Sequence, residues 1–257
     1  MKKIRINDLH LWQFEGLGKE SSIKHFVTDR SSHSNGKEFT LSYSGSSNKE
    51  DVRKNRHFLA EAMGVQDSQL YFPSQVHHTK IVTVASHTSK EELMETDALI
   101  TCEKGVCIAV MSADCVPILL VDTKNKAVAA VHSGWRGTVA KILEKTLQEM
   151  YSKFGTKGDH LIAAIGPSVS QESYEVGEEV VQAIDNAFGK ENELMIPQAN
   201  NKAKLDLWKA NKLQLVEFGV AASRIEISDL CTLKNNKHFF SARKGDAGRF
   251  AAGIMLV

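Results

Sequence analysis

The 257-residue sequence predicts an α/β fold of mixed (α+β) character, a single layered domain spanning residues 1–257 with mixed β-sheets and helices outside. Short apolar runs rich in β-branched residues recur along the chain. Stretches with helical periodicity lie among them rather than in a separate half. No internal repeat, low-complexity segment or linker divides the sequence.

Residues 4–14 alternate loosely and predict a first strand, and residues 22–28 a second. Asp29-Arg-Ser-Ser-His-Ser-Asn-Gly36 is loop chemistry, followed by a predicted strand at 39–43. Residues 50–64 carry Val52, Phe58, Leu59, Ala62 and Met63 as a partial helical stripe, with Gly64 as the stop. Residues 80–85, 97–101 and 106–111 are strand-like, the last two flanking the turn Glu103-Lys-Gly105, and residues 88–96 are polar and acidic, a surface loop or a helical turn.

Apolar runs at 116–121 and 127–131 flank the polar turn Asp122-Thr-Lys-Asn-Lys126, which predicts a hairpin. Residues 138–154 form the clearest predicted helix, with Val139, Ile142, Leu143, Leu147, Met150 and Phe154 on one face. A strand at 161–165, helices at 176–188 and 205–218, and strands at 225–230, 239–241 and 250–257 complete the prediction.

Composition narrows the function. Lys and Arg number 32 against 31 Asp and Glu, which argues against broad binding to a nucleic-acid backbone. The four cysteines are too few and too scattered for a disulfide scaffold. The N-terminal stretch lacks the apolar core of a signal peptide, and no apolar run approaches the ~18 residues that span a bilayer. A cytoplasmic protein with reduced thiols is expected, with no membrane and no nucleic-acid partner.

The predicted hairpin holds the chemistry. Cys115 precedes its first strand and His132 follows its second, so pairing brings the two together. His77, at a β-like segment upstream, is a third candidate. Imidazole and thiolate are good zinc ligands, and three protein ligands leave a position open for water or substrate. The bland reading makes Cys115 a small core residue and the histidines surface groups. His78 would point to the opposite strand face from His77.

The turn Ser133-Gly-Trp-Arg-Gly137 opens a predicted helix, where Gly134 and Arg136 could meet an anion; an ordinary strand-to-helix turn is the alternative. The loop with Arg243, Lys244 and Arg249 is a second basic candidate. Cys231 is either a nucleophile or a buried thiol. No dinucleotide fingerprint, Walker A sequence, cytidine-deaminase zinc signature or nucleophile elbow occurs.

Several segments together resemble the YfiH/YlmD-type laccase-domain (polyphenol oxidase) family. They are Gln75-Val-His77, Thr96-Asp-Ala-Leu-Ile-Thr101, Ser112-Ala-Asp-Cys115 with Pro117, and Val131-His-Ser-Gly-Trp-Arg-Gly137. Downstream come Ile165-Gly-Pro167, Tyr174-Glu-Val176, Asp206-Leu207, Cys231-Thr232, Phe239-Phe-Ser, Arg243 and Gly248-Arg249. They occur in the family's order over roughly residues 20–257. The sequence departs from the family pattern at Thr28-Asp-Arg-Ser-Ser32, Ser42-Tyr-Ser44, His78 and Arg243-Lys-Gly-Asp246.

The resemblance implies the layered α/β architecture of YfiH-like proteins, which is shared with cysteine hydrolases. It implies a Zn2+ site of His77, Cys115 and His132, which would also be the catalytic residues; copper enters only through the family's naming. The implied partners are a small-molecule nucleoside and phosphate, and the implied chemistry is purine nucleoside phosphorolysis and adenosine deamination. Gly134, Arg136, Arg30, Arg243 and Arg249 become phosphate or substrate candidates, and Asp114 a proton relay or a support for Cys115. Other relatives edit a peptidoglycan precursor as amidases. A metal-free cysteine hydrolase would use Cys115 as nucleophile and His132 as base. A multicopper oxidase needs paired histidines, and no His-x-His pair is present.

Overall fold

The computed structural model describes residues 1–33, 36–44 and 48–257. The chain opens with an antiparallel hairpin, β1 (Lys2–Ile6) and β2 (Leu9–Gln13). The predicted single strand at 4–14 is therefore two strands. Asn7 takes the left-handed conformation (φ 52°) that a tight turn requires and that Asn tolerates. β3 (Ile23–Val27) leads to α1 (Lys49–Met63), where the Asn48 side chain accepts from the amides of Glu50 and Asp51. Gly64 ends α1 at φ 76°.

Short strands β4 (Leu70–Tyr71), β5 (Ile81–Thr83) and β6 (Ala98–Thr101) precede the long β7 (Cys107–Ser112). β8 (Val116–Asp122) and β9 (Ala127–Ser133) form the predicted hairpin, with Pro117 opposite His132. Then come α2 (Trp135–Val139), α3 (Ile142–Phe154), β10 (Leu161–Ile165), β11 (Glu175–Val176) and α4 (Glu178–Phe188). The chain closes with β12 (Met195–Pro197), β13 (Ala203–Leu205), α5 (Leu207–Glu217), β14 (Ile225–Ile227) and β15 (Phe250–Leu256).

Two six-stranded mixed sheets, β1-β2-β3-β15-β7-β4 and β14-β10-β8-β9-β6-β5, pack face to face. Side-chain alternation assigns the layers. Ile108, Val110, Leu119, Val121, Val128, Ala130, Ala252 and Ile254 fill the space between the sheets. Ile118, Leu120, Ala129 and Val131 point the other way, against Leu143, Leu147 and Met150 of α3. Cys107, Ala109, Ala251 and Met255 meet Leu59 and Met63 of α1. The order is helix, sheet, sheet, helices. This explains why the central strands read as continuous apolar runs: both faces are covered, and each fully buried Val, Leu or Ile contributes about 1.5–3 kcal/mol. Among the described residues no helix is long and apolar enough to cross a membrane.

Further expectations change. Residues 138–154 are not one helix. Lys141 adopts φ 59° and turns the chain between α2 and α3, while Thr138 is held by Ser133 and Asn211 of α5. Residues 39–43 and 239–241 enter no sheet. Their backbone bonds are irregular, as where Phe39 donates to the Arg30 carbonyl and Leu41 to that of Arg249. The predicted strand at 225–230 ends at Ile227. The third sheet, β11-β13-β12, is unanticipated because strands of two or three residues are too short to show a period.

Candidate metal centre

The candidate ligands gather where strands of both sheets end. β7 leaves the first sheet at Ser112 and β8 joins the second at Val116. Ala113, Asp114 and Cys115 make the crossing, with Asp114 at φ 84°. The Ser112 hydroxyl donates to the Cys115 carbonyl at 2.6 Å. His132 lies at the end of β9, one residue from the position paired with Val116. The hairpin therefore places it beside Cys115, as expected.

His77 arrives differently. Its segment is a turn, not a strand, and His77 itself has φ 64°. The expected strand alternation between His77 and His78 therefore does not apply; both side chains are exposed, and His78 lies outside the ligand group. Gln75 anchors the turn: its amide donates to the Met111 carbonyl and accepts from the Met111 N–H, each at 2.8 Å.

Ligand atoms of His77, Cys115 and His132 all lie within 4.8 Å of one another. The two imidazole rings meet edge-on, with centroids 4.9 Å apart. Burial pushes the Cys115 thiol up, but the adjacent His132 and His77 outweigh it and hold the thiol below its ordinary value. Burial opposes charge on His132 as well, yet Cys115 and Asp97 carry its pKa upward. Asp97 accepts from Nδ1 of His132 at 2.8 Å, which leaves Nε2 for a ligand. Two imidazoles and a thiolate suit zinc with one position open. The pocket is cut close: Gly134 stands where any side chain would press on Cys115 and His77.

The other candidates occupy varied settings. Gly134 caps α2, a helix of only five residues. Arg136 is exposed, its guanidinium 4.3 Å from the Trp135 ring centre. Asp114 is buried and accepts from Thr232 (2.5 Å), Ser241 (3.0 Å) and the Arg243 amide (2.9 Å), so its carboxylate ties the Cys115 crossing to the C-terminal loop. The Arg243 guanidinium lies over Tyr174 and donates to the Glu175 carbonyl at 3.0 Å. Lys244 is exposed in the same loop.

Arg30 pairs with Asp246 at 2.5 Å and Glu38 at 3.2 Å, over the Phe240 ring. Arg249 turns back to donate to the carbonyls of Asp246, Ala247 and Gly248. Cys231 is buried and accepts from the Ser170 amide at 3.4 Å. The residue missed on the sequence is Asp97, which is fully buried and bonds to both histidine segments. Its signals were a carboxylate at the start of an apolar strand and its place in the Thr96–Thr101 segment that carries the family resemblance.

The profile of the family described as multi-copper polyphenol oxidoreductase laccase matches residues 24–257. A Bacteroides thetaiotaomicron protein named purine nucleoside phosphorylase is 39% identical, covering 97% of each chain. A protein named adenosine deaminase RL5, from an unknown prokaryotic organism, is 38% identical over 76% of this chain and 78% of its own. The crystal structure of YlmD from Geobacillus stearothermophilus superposes with a TM-score of 0.88 at 26% identity, covering 98% of this chain and 97% of the other. With its layered fold and its His77, Cys115 and His132 cluster, the chain belongs to this laccase-domain family of YfiH and YlmD proteins.

Proposed function

We propose that the chain is a zinc-dependent purine nucleoside enzyme. It phosphorolyses adenosine, inosine, guanosine and methylthioadenosine, and hydrolytically deaminates adenosine. The convergence of His77, Cys115 and His132 within 4.8 Å carries this reading. The names of the two relatives, phosphorylase and deaminase, support the substrate class. When bound, zinc supplies a Lewis acid that makes water acidic near neutrality.

His77, Cys115 and His132 hold the ion, and Asp97 keeps the His132 Nδ1 proton away from it. Arg136 and Arg243 are the first candidates to receive phosphate or the substrate's polar groups: Arg136 is exposed and stacked on Trp135, and Arg243 spends one guanidinium donor on the Glu175 carbonyl. Arg30 and Arg249 serve that role less directly, since Arg30 is ion-paired with Asp246 and Glu38 and Arg249 donates to three backbone carbonyls. Gly134 keeps the approach to the ligands open. The partners are a nucleoside and phosphate, and the four free cysteines support a reducing, cytoplasmic setting.

Incubation with adenosine, with and without phosphate, tests this. Inosine should form in both cases, and adenine with ribose 1-phosphate only when phosphate is present. Turnover no greater than that of His77→Ala would remove the reading. The lowered thiol of Cys115 beside His132 favours one second reading, a metal-free cysteine hydrolase. Full activity in protein that contains no metal would select it.

A further inference from the structure

We propose that Asp97 is the positioning residue that assembles the two-imidazole half of the centre before any metal arrives. The proposal rests on reading the cluster as a metal site. Asp97 has no solvent exposure. Its Oδ1 accepts from the His77 amide at 3.0 Å and from His132 Nδ1 at 2.8 Å. Its Oδ2 accepts from the amides of Val76 at 3.2 Å and His78 at 2.9 Å. A carboxylate offers about four lone-pair sites, and here all four meet donors. None remains for substrate, so the residue acts through the ligands.

Backbone bonds bring the two segments near each other, from Thr96 to Ser74 and along the β6–β9 ladder, but among the described residues only the Asp97 carboxylate bonds both the His77 turn and the His132 ring. His132 belongs to the β8–β9 hairpin, and Asp97 grips it twice: the ring through the side chain, and the His132 amide through the Asp97 carbonyl at 2.8 Å. His77 lies in a turn outside any sheet and adopts φ 64°, which costs a non-glycine residue about 1–2 kcal/mol. Three amides aimed at one carboxylate offset that cost. With Nδ1 as the donor, His132 presents the lone pair of Nε2 toward His77 and Cys115. An amide at position 97 could not do the same. Its NH2 group would face amide or imidazole N–H donors, donor against donor.

The test compares wild-type protein and Asp97→Asn as full-length, metal-stripped chains. Zn2+ is titrated against a competing chelator, and Co2+ substitution reports ligand geometry by its visible ligand-field bands. We expect Asp97→Asn to bind zinc about 10–100-fold more weakly and to shift the Co2+ bands. A role in folding alone would lower the melting temperature but leave both metal readouts unchanged. An Asp97→Asn affinity within about threefold of wild type, with unchanged bands, overturns the proposal. Wild-type protein that takes up neither metal overturns the metal reading, and this proposal with it. If the variant does not fold, amide hydrogen exchange in metal-free wild-type protein decides. Protection of the Val76, His77 and His78 amides supports pre-assembly, and free exchange there overturns it.

Discussion

Gly134 lies against Cys115 so closely that a Cβ on the glycine would stand 2.8 Å from the cysteine Sγ. The same atom would be 3.1 Å from Cδ2 of His77. The backbone of Gly134 (φ −74°, ψ 175°) is open to any residue, so contact and not conformation excludes a side chain. Gly134→Ala should displace the thiol and weaken zinc binding at least about tenfold, as lost ligand geometry does. Metal content after dialysis measures this, and circular dichroism shows whether the fold survives.

Cys115→Ser should abolish stoichiometric zinc, because a neutral hydroxyl is a far poorer ligand than a thiolate. Elemental analysis of protein purified without added metal gives the answer. Retained zinc in the serine variant would place the metal elsewhere.

Asp114→Asn should loosen the C-terminal loop. The carboxylate accepts three bonds from Thr232, Ser241 and Arg243. Asparagine tolerates the left-handed backbone at this position, so the effect isolates the side chain. A loss of about 1–3 kcal/mol is expected for a buried hydrogen-bonded charge replaced by an amide. Urea unfolding measures the loss, and faster exchange of the Arg243 amide would assign it to the loop.

His25 should make stability fall in mild acid. Burial lowers its pKa from 6.5 to about 4, and its Nε2 accepts the Phe14 amide at 2.9 Å, which only the neutral ring can do. Between these values the unfolded chain takes up a proton that the folded protein refuses. Stability therefore drops as pH falls through 6.5 toward 4. Above that window the ring is neutral in both states and adds no pH dependence. Between about pH 7.5 and 5 the contribution is about 2 kcal/mol. Urea unfolding at both pH values should show that difference in wild-type protein and not in His25→Gln, which keeps an acceptor for Phe14.

Much of the centre was legible in the residue order. Cys115 and His132 bracket a hairpin, and pairing alone predicts their approach; the ladder places Pro117 opposite His132. His77 was legible as a residue but not as a conformation, since its turn is set by a carboxylate twenty residues downstream. The break at Lys141 was hidden because the apolar stripe of 138–154 runs on through it. That stripe reports which face is buried but is silent on the bond from Ser133 to Asn211 that turns α2. Arg30, Arg136, Arg243 and Arg249 look alike in sequence and differ in space. Arg30 is ion-paired with Asp246 over the Phe240 ring, Arg249 donates to three backbone carbonyls, Arg243 lies over Tyr174 and donates to the Glu175 carbonyl, and Arg136 is stacked on Trp135.

The sequence by itself determined the layered class and the central hairpin that pairs Cys115 with His132, because apolar periodicity and local pairing act over short separations; His77 joined them as the third ligand implied by the family resemblance. Only the tertiary structure decided how the ligands meet. The two sheets had to stack before the Ala113-Asp114-Cys115 crossing existed as an edge. Asp97 had to be buried between two segments before one carboxylate could hold both histidines. A buried charge takes its partners from whatever the packed layers bring within hydrogen-bond reach, and that reach is not written in residue order.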